Sequence, residues 1–113
     1  MHEMSLMESV LDIIEDSAAS EGFSRVRRVR LEIGALSGVE PHALSFCFDA
    51  VMRNTLADGA GLEIVLTPGT AWCAACGKTV GISERIDPCP ECGRFGLEVT
   101  GGTAMRVGTL DVE

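Results

Sequence analysis

The chain is predicted to be an α+β protein: a small mixed β-sheet with two helices on it, plus an inserted zinc-ribbon-like lobe. Three observations predict this. Apolar residues recur at helical spacing over 4–21 and again over about 40–55. Apolar and charged residues alternate in Val29–Ile33 and from Leu62 to Thr67, as in strands with one buried face. Between 70 and 96 that periodicity disappears, and two Cys-x-x-Cys pairs lie among Pro and Gly. One sheet with two helices needs the final strand to complete it. The cysteine lobe, 70–96, is therefore an insertion into a discontinuous α/β domain of 1–69 and 97–113.

Along the first helix, Leu6, Met7, Val10, Leu11, Ile13, Ile14 and Ala18 form the apolar face. Glu8, Asp12, Glu15 and Asp16 take the other side, and Gly22 is the natural stop. In the first strand Val26 breaks the alternation of Val29, Leu31 and Ile33, which predicts a bulge near Arg27 and Arg28. Gly34 to Gly38 form a loop. Pro41 suits the first position of a second helix whose core face is Leu44, Cys47, Phe48, Val51 and Met52. Asp58-Gly59-Ala60-Gly61 is a turn before the second strand, which Pro68-Gly69 ends. Leu97 to Glu113 reads as strand, turn at Gly101-Gly102, and strand.

Composition narrows the function. In 113 residues, 46% are hydrophobic and 23% charged, as in a soluble globular domain. The formal net charge of -8 repels phosphate backbones and argues against nucleic acid as a partner. The basic run Arg25, Arg27, Arg28, Arg30 is interrupted by core positions and has acids nearby to pair with. No apolar run approaches a membrane span, and Met1-His2-Glu3-Met4 lacks the basic region of a secretory signal. Five cysteines, two pairs of them closely spaced, fit metal binding in a reducing compartment better than disulfides, which places the protein in the cytoplasm.

Cys73-Ala74-Ala75-Cys76-Gly77 and Cys89-Pro90-Glu91-Cys92-Gly93 repeat one design. Each turn puts two thiolates within reach of one ion, and the following Gly can take positive φ, so that backbone N–H groups turn toward sulfur. Four thiolates leave no open position, so a zinc ion bound by Cys73, Cys76, Cys89 and Cys92 is structural. A rubredoxin-type iron would use the same ligands. A thioredoxin-like pair would open a helix after a strand, which two such motifs beside Pro and Gly do not. Cys47 reads as a core residue, and His42 as solvated or capping.

The N-terminus offers a second set of ligands. The α-amine of Met1, the amide nitrogen of His2 and its imidazole can close a five- and a six-membered chelate ring on one ion. Glu3 can add its amide nitrogen or carboxylate. Nitrogen ligands in one plane suit Ni²⁺ or Cu²⁺. A bulky second residue such as His2 protects Met1 from aminopeptidase. Taken alone, though, a histidine at position 2 is weak evidence of a metal role.

Met1-His2-Glu3-Met4-Ser5-Leu6 resembles the opening of the HypA/HybF family, the nickel-insertion proteins of [NiFe]-hydrogenase maturation. The likeness continues through Val29–Gly38, Leu44–Phe48, Thr55–Ala60, both cysteine knuckles and Gly101-Gly102. The resemblance implies a nickel-binding α/β domain and a zinc domain, with Ni²⁺ held by Met1, His2 and Glu3. It also implies a HypB-type GTPase partner and delivery to the [NiFe]-hydrogenase large subunit precursor. Cys47 departs from the family, which often has Ala there, and Ala104-Met105 lie in a variable stretch.

Two other functions compete. One is a plain zinc-ribbon interaction module, an adaptor with no transferred metal; the other is a thiol oxidoreductase. The sequence holds no nucleophile–base constellation and no phosphate-cradling glycine loop, so no catalysis is expected.

Overall fold

The computed structural model describes residues 3–113, as the order α1 (Glu3–Glu21), β1 (Val26–Gly34), α2 (Pro41–Met52), β2 (Gly61–Thr67), β3 (Gly69–Cys73), β4 (Lys78–Ile82), β5 (Glu98–Gly101), β6 (Met105–Val112). α1 carries Glu3 in its first turn, where a carboxylate suits the positive end of the helix dipole. It ends where Gly22, at φ 81, donates its N–H to the Ala18 carbonyl at 2.9 Å. Met7, Val10 and Ile14 are fully buried at the spacing the sequence predicts. The apolar stripe is narrower than expected. Leu6, Leu11 and Ala18 are half-buried, and Ile13 stands 47% exposed. Adjacent helical positions sit about 100° apart, so the neighbour of a central core residue turns toward water.

β1 runs unbroken from Val26, with the exposed pair Arg27 and Arg28 between buried Val26 and Val29, so the break in parity falls inside one strand. α2 starts at Pro41 behind an N-cap, Glu40, whose carboxylate accepts the Ala43 N–H at 2.7 Å. It buries Leu44, Phe48 and Met52, while Cys47 and Val51 are only half-buried. The helix stops at Met52 rather than near 55. Arg53 leaves helical geometry at ψ 131, Asn54 takes φ 63, and the Thr55 hydroxyl donates to the Met52 carbonyl at 2.6 Å.

The first sheet has the order β2-β1-β6. The Ala35 N–H, just past β1, donates to the carbonyl of Thr67, the last residue of β2, at 2.9 Å, so these strands end together and run parallel. Parallel neighbours need a crossover, which α2 supplies. β6 runs the other way. Glu113, just past its end, bonds Ser24 and Arg25 before β1, while Ala104, just before its start, accepts from Gly34 at the end of β1. The sheet is therefore mixed, as expected, and β6 completes it.

The second sheet, order β4-β3-β5, is antiparallel throughout, pairing Cys73 with Lys78 and Gly69 with Ile82 on one side of β3. The apparent lack of periodicity after residue 70 concealed β3 and β4. Gly69, Ala71 and Cys73 face inward in alternation, but their small side chains give a faint hydropathy signal.

The chain divides into two compact units. The first comprises the chain up to Leu31, Val39–Ile64 and Val107–Glu113; its buried residues include Met7, Val10, Ile14, Val29, Leu44, Phe48 and Met52. The second comprises Glu32–Gly38 and Val65–Arg106, with a core of Leu36, Ala71, Cys73, Val80, Ile82 and Cys89. Segment 70–96 lies inside the second unit.

Candidate metal centre

β3 delivers Cys73 at its last residue and β4 begins at Lys78, so the first knuckle is the turn between two paired strands. Gly77, at φ 64, donates its N–H to the Cys73 carbonyl at 2.8 Å. The second knuckle repeats this outside any strand: Gly93, at φ 77, donates to the Cys89 carbonyl at 2.9 Å. The Cys89 N–H in turn donates to the Arg94 carbonyl at 2.8 Å. Both glycines take the left-handed conformation that the sequence reading assigns to them.

The four sulfurs lie within 4.8 Å of one another. Cys73 Sγ is 3.6 Å from Cys92 Sγ, and Cys76 Sγ is 3.9 Å from Cys89 Sγ. A tetrahedron of sulfurs about 2.3 Å from a central zinc has edges of about 3.8 Å, so the spacing fits one such ion. It is far too long for disulfides, and all five cysteines are free thiols. Cys73 and Cys89 are buried, Cys76 is half-buried and Cys92 exposed. Among the described residues, this is the one group of three or more His, Cys, Asp or Glu side chains placed to share an ion.

The thiols already differ in acidity. Hydrogen bonds with the Cys92 and Cys73 sulfurs hold the Cys76 proton and push its pKa up to about 12. The backbone N–H groups of Cys92 and Glu91 stabilise a Cys89 thiolate and bring that pKa down to about 7. The backbone donors thus favour the thiolate at Cys89, the form in which sulfur binds a cation. Lys78 Nζ meets Glu91 Oε1 at 2.6 Å, directly joining the two knuckles. This pair was missed in the sequence, although a base just after one knuckle and an acid inside the other were visible signals.

Of the expected nickel ligands, Met1 and His2 lie outside the described residues. Glu3 opens α1, half-buried, and its Oε2 accepts the Glu40 N–H at a long 3.5 Å. His42 is exposed in the first turn of α2. The basic residues of β1 are paired: Arg27 with Glu113 at 2.6 Å, Arg30 with Glu63 at 3.1 Å, and Arg28 between Glu63 and Asp111 at 3.7 and 3.9 Å. No helix among the described residues is long and apolar enough to cross a membrane.

Comparison with known proteins places this geometry. Residues 1–112 match the sequence model of a family described as hydrogenase/urease nickel incorporation, metallochaperone, hypA. The chain belongs to the HypA family. It is 59% identical over 113 residues to the hydrogenase maturation factor HypA of Albidiferax ferrireducens, each chain being covered in full. It is 57% identical, with the same full coverage, to hydrogenase maturation factor HypA 2 of Bradyrhizobium diazoefficiens. The fold matches the solution structure of the Ni metallochaperone HypA from Helicobacter pylori at a TM-score of 0.72 and 24% identity, covering 99% of this chain and 97% of that one. The HypA family is one of nickel metallochaperones and hydrogenase maturation factors, and the four-cysteine cluster is the candidate structural metal site of this chain.

Proposed function

We propose that this chain is a nickel metallochaperone that binds Ni²⁺ at its N-terminus, through Met1, His2 and Glu3, and delivers it to the [NiFe]-hydrogenase large subunit precursor. It does so in the cytoplasm with a HypB-type GTPase as partner. Zn²⁺ on Cys73, Cys76, Cys89 and Cys92 is structural. In functional terms, 1–69 and 97–113 form the nickel-binding domain and 70–96 the zinc-binding domain. The single observation that carries this reading is the family match over 1–112.

The chemistry of the two sites supports it. The four thiolates enclose their ion and leave no position for exchange. An α-amine and an imidazole must each lose a proton to bind, so a partner's better-ordered ligands or mild acid can strip the ion away. Cu²⁺ outranks Ni²⁺ on such ligands, so metal supply and partners, rather than affinity, set the cargo.

A short Gly-Ser extension before Met1 tests the nickel site. It keeps every side chain but converts the amine to a peptide amide, a much poorer ligand. Calorimetry is expected to show most of the Ni²⁺ affinity lost, with zinc content and fold retained and hydrogenase maturation abolished. Undiminished nickel affinity would remove Met1 from the site. His2→Ala is expected to reduce nickel binding to background.

The competing adaptor reading draws on two side chains of the second unit, Ile86 and Phe95, which are 80% and 75% exposed. Metal content after purification in excess Ni²⁺ separates the two. One zinc plus one nickel supports the carrier; zinc alone supports the adaptor.

A further inference from the structure

We infer that Lys78 and Glu91 form an ionic latch that holds the two cysteine knuckles together over the four sulfurs and sets how fast the central ion leaves. The inference rests on the reading of that cluster as the zinc centre. Its basis is position. Lys78 begins β4 directly behind the first knuckle, and Glu91 sits between the two cysteines of the second. The first knuckle is fixed by the β3–β4 ladder, whereas residues 83–97 lie outside any strand and the main-chain hydrogen bonds within the second knuckle are local. The 2.6 Å contact therefore adds a direct tie between the knuckles to the one that Cys89 makes by packing in the shared core.

Geometry makes this the coordinate along which metal is lost. The close sulfur pairs, Cys73 with Cys92 and Cys76 with Cys89, each take one member from each knuckle. Thiolates leave an ion one at a time, and a chelator enters once the knuckles part. A salt bridge across that gap opposes the parting and favours reclosure before a second sulfur is released. Its ammonium also lies beside a centre that, with four thiolates and one divalent ion, carries net negative charge. Both partners are about half exposed, 51% each, so salt must screen the latch and its effect is modest.

The test uses the full chain loaded with zinc and mixed with excess 4-(2-pyridylazo)resorcinol, whose colour follows zinc transfer. Lys78→Met and Glu91→Gln are each expected to release zinc about two- to fivefold faster, the range open to an exposed ion pair. The reversed pair, Lys78→Glu with Glu91→Lys, is expected to return close to the wild-type rate. Added salt should speed release from wild type and leave the single variants nearly unchanged. Wild-type rates in either single variant overturn the latch. So does a reversed pair as fast as the singles, because local charge rather than contact would then be responsible. A wild-type chain purified without one equivalent of zinc fails the zinc reading instead, and that is scored before any rate is measured.

Discussion

Gly34 lies so close to Gly102 that a Cβ on the first would fall on the carbonyl group of the second. That carbonyl already accepts the Leu36 N–H at 2.8 Å, and Gly102 itself sits at φ 80 with the Pro68 carbonyl 2.5 Å from where its own Cβ would be. Backbone crowds backbone here, and no side chain can swing aside. Gly34→Ala is expected to destabilise the protein by about 3 kcal/mol, the upper end of ordinary single substitutions. Gly81→Ala, with open space around the new methyl and no positive φ, should stay within about 0.5 kcal/mol. Urea midpoints at constant m-value would separate the two.

The first helix offers a graded series. Ile14 is fully buried, Leu11 half-buried and Ile13 47% exposed. Truncation of Ile14 to Ala is expected to cost about 2–5 kcal/mol, and Leu11→Ala distinctly less. Ile13→Ala should lie within about 0.5 kcal/mol. Equal losses at all three sites, measured by thermal or urea unfolding, would mean that a partner or a second copy covers the Ile13 face in solution.

Changing Cys76 or Cys92 to Ala removes one ligand from a closed four-sulfur site, and with it the folding energy the ion supplies. Hydrogen exchange is expected to accelerate across Gly69–Cys73 and Lys78–Ile82 while α1 and β1 keep their protection. Zinc measured at one equivalent in either variant would contradict the four-ligand site.

Glu40 links pH to the start of α2. The N–H groups of Ala43 and then His42 hold its carboxyl below the usual glutamate range. An acid whose folded pKa is depressed stabilises fully above its ordinary value, and that stability disappears as pH falls through the depressed one. Acidification should therefore fray the first turn of α2, and Glu40→Gln should remove that dependence. NMR titration of the Glu40 carboxyl gives the direct check.

How much was legible depended on whether side chains announced their surroundings. Met7, Val10 and Ile14 did so through helical spacing, and Leu31 and Ile33 through alternation. Both knuckles were legible because metal geometry permits few spacings. β3 and β4 were not, since their inward residues are Gly69, Ala71, Cys73, Val80 and Ile82, and two of the five are too small to register. The early end of α2 lies in Arg53 at ψ 131, Asn54 at φ 63 and Thr55 bonding back to the Met52 carbonyl, none of which hydropathy spacing announces. The bidentate grip of Arg106 on Glu32, at 2.9 and 3.2 Å, joins residues 74 positions apart, and no local pattern carries that information.

Cys73 and Cys89 belong to two structures at once, the sulfur cluster and the apolar core of the second unit, where they are 1% and 2% exposed beside Ala71, Val80 and Ile82. Half-buried Cys76 and exposed Cys92 carry only the first duty in full. This asymmetry sets the paths open to mutation over evolutionary time. At Cys92 a histidine or aspartate can in principle replace one ligand chemistry by another, because water surrounds the newcomer. At Cys73 or Cys89 the same exchange brings a polar or bulkier group into a dry, filled space. Cys92 is thus held by coordination alone, and Cys76, packed against the edge of that core, by coordination with a smaller share of packing. The other two are held twice, by coordination and by packing.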